Sequence, residues 1–290
     1  MKKIITLLII VAMLSSLAVT ASADSITTCV VVGANLTDSQ IQDMYTTFGV
    51  TRGNVLELTV TNSEERQYLE GLVDESIIGH NSISCVCLKI LPENSGISVK
   101  TENITWCTSE MYISALTTAG ITDAEIIVAA PFEVSGTAAL TGIYKAYEAL
   151  TGDVISEQVK QVSTEELTIG GEIAELIGSE EAAAIINELK LILDETASMS
   201  DSELHDTIVS IAAQYGVSLT ESEISKLISL CRSLEGLDVS SISESVEKIY
   251  GTIQKINETK ETVTGIAQKV QSFFTKVSAF IDKVKSIFSK

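Results

Sequence analysis

The sequence predicts an α+β protein: an N-terminal mixed-sheet α/β domain, then an all-helical segment, then a long C-terminal amphipathic helix. Three observations carry this reading. Up to about residue 151, β-branched or alternating runs are interleaved with capped helical segments. From there to about residue 240 only helical periodicity remains, and over the last fifty residues the charge changes sign. The 290 residues are 45% hydrophobic and 20% charged with 2 prolines, a composition that buries a core and excludes wholesale disorder. The expected divisions are 1–23, 24–151, 152–240 and 241–290.

The first division reads as an export signal. Met1-Lys2-Lys3 is a basic start, residues 4–14 are apolar, and Ala21-Ser22-Ala23 is a small-residue cleavage site. The apolar run is short for a membrane span of roughly 20 residues. The expected product is a secreted, cell-envelope-associated chain beginning at Asp24. Cys29 lies too far from the cleavage point for a lipid anchor.

In the second division, residues 27–33 form a β-branched run consistent with a buried strand. Thr37 and Gln40 make a capping box for a helix ending near Gly49. Residues 55–60 alternate as a strand, and Asn62 to Glu65 open a short helix ending at Gly71. Residues 83–91 and 96–106 are two extended runs joined by Pro92-Glu93-Asn94-Ser95-Gly96, whose turn chemistry predicts a hairpin. Thr108 caps a helix ending at Gly120, residues 126–130 are the last strand, and a helix follows from Thr137 to Leu150. Helices on one face of this sheet would suffice to bury a core. In the third division, Ser179, Ser200 with Glu203, and Thr220 with Glu223 are start signals, and Gly178, Gly216 and Gly236 are stops. Ile208, Ile211, Ala212 and Tyr215 face Ile224, Leu227, Ile228 and Cys231 as a helical hairpin.

Charge and side-chain inventory exclude several functions. Nineteen Lys and Arg stand against 39 Asp and Glu, for a net charge of −20, so nucleic acid is not expected as a partner. Five cysteines leave at least one unpaired within the chain. Cys85 and Cys87 are two apart on a strand and share a face, a poor geometry for bonding each other, whereas a Cys29 bond to one of them stays open. His80 with Cys85, Cys87 and Cys107 lacks zinc spacing, so no metal and no cofactor is expected. Neither His80 nor His205 has the company of a nucleophile motif, and no catalytic residue is assigned. The pairs Glu64-Glu65 and Glu165-Glu166 fit solvated first turns of helices.

Two segments could bind something. The 131–142 stretch follows a strand and opens a helix, and such a junction offers free backbone N–H groups to an anion, held by Ser135, Gly136 and Thr137. The alternative to a binding or structural module is therefore an extracellular hydrolase or small-anion-binding protein using this junction. With neither a Walker lysine nor G-x-G-x-x-G, a nucleotide is not indicated, and a helix cap with a close-packing glycine accounts for the same residues. The C-terminal segment is the more informative. Residues 241–290 hold 8 lysines against 5 acids, whereas 24–240 hold 9 basic against 34 acidic residues. Val263, Ile266, Val270, Phe273, Val277, Phe280, Val284 and Ile287 recur at heptad steps. Phe274 and Phe288 widen the stripe, and Lys269, Lys276, Lys283 and Lys290 flank it every seven residues. From about 243 to 288 such a helix spans roughly 65–70 Å. Its stripe needs cover: the body or another copy through coiled-coil packing, a membrane surface, or another envelope component. A lysine every seven residues rules out a transmembrane span.

Several stretches resemble the domain-of-unknown-function 1002 (DUF1002) family, YpuA-like secreted proteins mostly of Gram-positive bacteria. They are Val32-Gly33-Ala34-Asn35-Leu36-Thr37, Val60-Thr61-Asn62-Ser63-Glu64-Glu65-Arg66, Asn103-Ile104-Thr105-Trp106 with Met111-Tyr112, and the run from Val128 to Gly142. The resemblance covers residues 24–238, and the C-terminal helix is less a part of the pattern. It implies export and an envelope setting, and brings no catalytic residue. If the shared stretches mark a surface, Trp106, Ser135, Gly136 and Thr137 belong to it.

Overall fold

The computed structural model describes residues 26–259. In chain order the elements of the first half are β1 (Thr28–Gly33), α1 (Asp38–Phe48), β2 (Leu56–Val60), α2 (Asn62–Leu69), α3 (Glu75–Ile78), β3 (Cys85–Ile90), β4 (Ile97–Ile104), α4 (Ser109–Thr118), β5 (Ala124–Val134) and α5 (Thr137–Thr151). The second half is helical: α6 (Glu157–Ile177), α7 (Ser179–Leu191), α8 (Leu193–Thr196), α9 (Asp201–Gln214), α10 (Glu221–Leu234) and α11 (Val239–Thr259). The α+β class and most elements stand where the sequence places them. The single-turn α3, capped by Asp74, has too short a period to be read from sequence.

The expected hairpin does not form. The sheet order is β2-β1-β3-β5-β4, with β5 inserted between β3 and β4. β3 pairs antiparallel with β5, and β4 pairs parallel with it. The reason is burial. Ile126, Val128, Ala129 and Ala130 are fully buried, so β5 needs a neighbour on each side, whereas β4 exposes Ser98, Lys100 and Glu102 as an edge strand should. The residues around 92–96 therefore pass the start of β5 and grip it: Ala124 N–H donates to Gly96 O at 3.2 Å, and Gly96 N–H to the Asp123 carboxylate at 3.0 Å.

Helices cover both faces of the sheet, not one. Ile41, Met44, Tyr45 and Phe48 of α1 pack on Val30, Val32, Cys85, Cys87 and Ala129. The opposite face, including Cys29, Val31, Val86, Leu88, Ile126 and Val128, lies under α5 and α4. Period-2 alternation explains the cysteines as well. Cys29 faces one layer and Cys85 and Cys87 the other, so no bond joins them, and all five cysteines are free and buried. Gly142 lets α5 lie close: a Cβ there would sit 3.4 Å from Val31 and Val86 side chains.

The helical half packs against the sheet half through α6, whose Leu167 joins the sheet core while Ile169 and Ile173 join the helical core. α9 and α10 meet through the apolar faces read from the sequence, each opened by its capping box. α7 is capped by Gly178 itself, not by Ser179.

Between the halves lies an ion pair without solvent access. Lys190 of α7 is 0% exposed and Glu166 of α6 is 1% exposed. Lys190 Nζ donates to Glu166 Oε1 and to Ser114 O, both at 2.9 Å, and to Thr118 Oγ1 at 3.2 Å. Ser114 and Thr118 of α4 donate their hydroxyls to the same carboxylate. Glu166 is thus mid-helix and interior rather than in a solvated first turn. Breaking such a pair strands a charge in the core, at a cost of about 3–5 kcal/mol. Lys190→Met should therefore destabilise by about that much in urea unfolding. The Lys190→Met/Glu166→Leu double variant should be no less stable than Lys190→Met alone; a double variant with summed losses would contradict the pairing.

Candidate functional site

β1 and β2 run parallel, β3 runs against β1 and β5, and β4 follows β5. Four strands therefore end at one edge, where α/β sheets commonly place ligand clefts. The loops after Gly33, Val60, Ile104 and Val134 meet there with the segment leading into β3. The stretches that carry the family resemblance converge on this edge from separate parts of the chain.

Close backbone contact builds it. A Cβ on Gly33 would lie 2.3 Å from Ser82 O, so only glycine fits. Asn35 fastens the same crossing, its N–H donating to Ser82 O at 3.1 Å and its side-chain oxygen accepting from Ser82 N–H at 2.9 Å. After Ala129 the ladder opens into a bulge of Ala130, Pro131, Phe132 and Glu133, and pairing resumes at Ile104 and Val134. Asn103, at φ +57°, spans the bulge by donating from Nδ2 to Ala130 O at 2.8 Å. Phe132 is left half exposed.

The bulge delivers Ser135 and Gly136 to the start of α5. Gly136 has φ +97°, and a Cβ would strike Ile104 at 2.5 Å and Tyr112 Oη at 2.8 Å. It caps α5 with no side-chain hydrogen bond of its own. The helix end is nevertheless not an open anion cradle. Thr137 Oγ1 donates to Glu65 Oε1 at 2.5 Å, and Asn62 Nδ2 donates to Glu65 Oε2 at 3.2 Å. Glu65 is 1% exposed, the second carboxylate that the sequence places in a solvated turn and the structure buries. When ionised it already supplies negative charge to the helix N-terminus, so a second anion beside it would be repelled.

A cleft of about 20 Å³ opens beside this carboxyl, lined by Glu65, Asn81, Ser84, Ser135 and Thr137 with Ile78, Ile83, Val134 and Ala138 as apolar walls. Burial pushes the Glu65 carboxyl up to about 7, against the downward pull of its Thr137 and Asn62 hydrogen bonds. Cys107 and Tyr112 lie behind it, wholly buried, with the thiol raised to about 12, so neither is a nucleophile at neutral pH. His80 is exposed in the loop before β3, and His205 pairs with Asp206 and Glu221 on α9 and α10. Among the described residues no group of three His, Cys, Asp or Glu could hold a metal ion.

Trp106 is not free surface. Its indole lies against Gly171 of α6, where a Cβ would come within 2.5 Å, and Nε1 donates to Glu175 at 2.8 Å. It clamps the edge to the helical half. A larger depression of about 310 Å³ lies further along α6, between Ile173 and Leu176 and the start of α10, bridged by the Lys226–Glu172 ion pair. Phe273, Phe274, Phe280, Phe288, Lys269, Lys276 and Lys283 lie outside the described residues. Glu65 escaped sequence reasoning because helix periodicity predicts which face a residue takes, not that a distant loop will close over it; the only available signal was its presence in a resemblance stretch.

A mixed five-stranded sheet with this edge, backed by a helical half, defines an α+β protein whose loops converge on one cleft. The chain belongs to the family described as "Protein of unknown function (DUF1002)", whose model matches residues 32–252. It is 38% identical over 243 residues to the "Uncharacterized protein YpuA" of Bacillus subtilis (strain 168), a match covering 83% of this chain and 82% of that relative. No solved structure matches it.

The Glu65 carboxyl makes a checkable contribution to pH dependence. Its folded value, about 7, exceeds the ordinary 4.5, so its contribution is fully present below about 4.5 and is lost as pH rises through 7. The loss is on the order of 2–3 kcal/mol between pH 5 and pH 8. Chemical unfolding across that range should show Glu65→Gln losing correspondingly less than the parent; equal slopes would refute the assignment.

Proposed function

We propose that the protein is an exported, non-catalytic module attached to the cell envelope through its C-terminal helix, with an anionic membrane surface as the partner. The observation that carries this reading is how α11 begins. Its first half is docked: Ile242, Val246 and Ile249 are buried, and Lys248 Nζ reaches Asp123 at 2.8 Å. Thr252 packs on Gly96. The helix is thereby pinned to the body beside the β3–β4 connection, and the basic heptad stripe follows directly in sequence.

Supporting this, the exposed large hydrophobics of the described residues are Ile26, Phe132, Val154, Leu176 and Val209, from five separate segments. No single described element carries two of them as a stripe of its own. Lysine stems beside a phenylalanine-rich face suit an anionic surface, and an acidic body would be held off it. No described helix is long and apolar enough to cross a membrane. The small cleft admits a single small group, which does not favour a hydrolase.

The test compares the chain beginning at Asp24 with one ending at Thr259. The longer chain should sediment with anionic vesicles, less so as salt is raised, and the shorter should not. Equal partitioning of the two would overturn the reading. A salt-resistant oligomer in light scattering, lost on truncation, would replace it with self-association.

A further inference from the structure

We infer that the carboxyl-edge cleft is a binding site for a primary ammonium group, with the Glu65 carboxylate as its counter-ion and Ser135, Ser84 and Asn81 as the surrounding oxygen acceptors. This is independent of how the chain is attached to the envelope.

Glu65 is a buried carboxyl with no cation hydrogen-bonded to it. Glu65 is all but wholly buried, yet both groups hydrogen-bonded to it, Thr137 and Asn62, are neutral. A buried carboxylate ordinarily has a cationic partner or gives up its charge. The cations nearby make their hydrogen bonds elsewhere, and Arg66 acts on Glu65 only through its field, which favours the ionised carboxylate less than burial opposes it. Arg66, next on the same helix, makes a two-pronged pair with Glu75 at 2.9 and 2.7 Å and donates to Gly79 O at 2.8 Å. Lys145 of α5 pairs with Glu64. From α4 and the residue before its cap, Tyr112 and Cys107 face the carboxyl and are held protonated by burial. α5 contributes the Thr137 hydroxyl and its own N-terminus.

The cleft fits the missing partner in size and chemistry. About 20 Å³ holds a group the size of one water, which an ammonium head matches. Its polar lining is a carboxyl, three hydroxyls and one amide, and the apolar walls Ile78, Ile83 and Val134 would take the first carbon of an alkyl stem. Because Thr137 spends its proton on Glu65 and Ser135 lies 3.2 Å from Thr137 Oγ1, Ser135 donates to Thr137 and keeps its oxygen as an acceptor. The α5 N-terminus opposes a cation with only about half a unit charge, against a full one on Glu65.

The experiment titrates the intact exported chain with methylammonium chloride, with tetramethylammonium chloride as a cation too large for the cleft and sodium phosphate as an anion, and follows the thermal midpoint. Methylammonium alone should raise the midpoint saturably. Its affinity should strengthen by up to about tenfold for each pH unit as pH rises towards 7, since Glu65 must shed its proton, and level off above. Glu65→Gln should abolish the effect. A second readout uses the unaltered protein: the Glu65 carboxyl carbon resonance should titrate at lower pH when methylammonium is present. Equal response to both ammonium ions, stabilisation by phosphate only, or an unmoved Glu65 titration would overturn the site.

Discussion

Lys190 and Glu166 lie where a sheet-forming half and a helix-forming half of one chain become a single body. Neither charge has water, so each is tolerable only while the other is in place and while Ser114 and Thr118 complete the hydrogen bonding. Burial lowers the tendency of Lys190 to hold its proton, and Glu166 opposes that loss. Such a pair is a demanding contact more than a strong one: it adds little net stability over a well-packed apolar patch but penalises any misplacement of α4, α6 or α7. Ser243 of α11 adds a further tie, donating to Lys190 O at 3.1 Å. The start of the C-terminal helix is thereby referred to the same point.

From that junction the molecule extends in two functional directions. Along α6, Trp106 is trapped against Gly171, which holds the carboxyl edge of the sheet and the loops that form the cleft. Along α11, Lys248 and Thr252 meet Asp123 and Gly96 where β5 and β4 begin. The cleft and these α11 contacts thus lie at opposite ends of the strands.

Two carboxylates are treated differently by the same interior. Glu166 keeps company with a lysine, whereas Glu65 is given only neutral donors and is driven up to about 7. Both follow another glutamate in sequence and look alike there. What separates them is which segments close over them: a lysine-bearing helix in one case, a helix N-terminus and a small cleft in the other.

The sequence alone determined the class, most element boundaries and the caps, because hydrophobic period, β-branching and capping boxes act within a few residues of one another; Thr37 with Gln40 and Thr220 with Glu223 are legible for that reason. It also exposed the basic, phenylalanine-rich stripe, since heptads are a local repeat. Strand order was not legible. The Pro92–Gly96 turn signal points to a hairpin, but β5, buried on both faces, outcompetes it for the place beside β3, and that competition exists only once all strands are present. Likewise the burial of Glu65 and Glu166, the seat of Trp106 and the separation of Cys29 from Cys85 and Cys87 depend on residues brought together from tens of positions apart. Only tertiary structure decides these, because desolvation and pairing are properties of the packed interior and not of the segment that supplies the side chain.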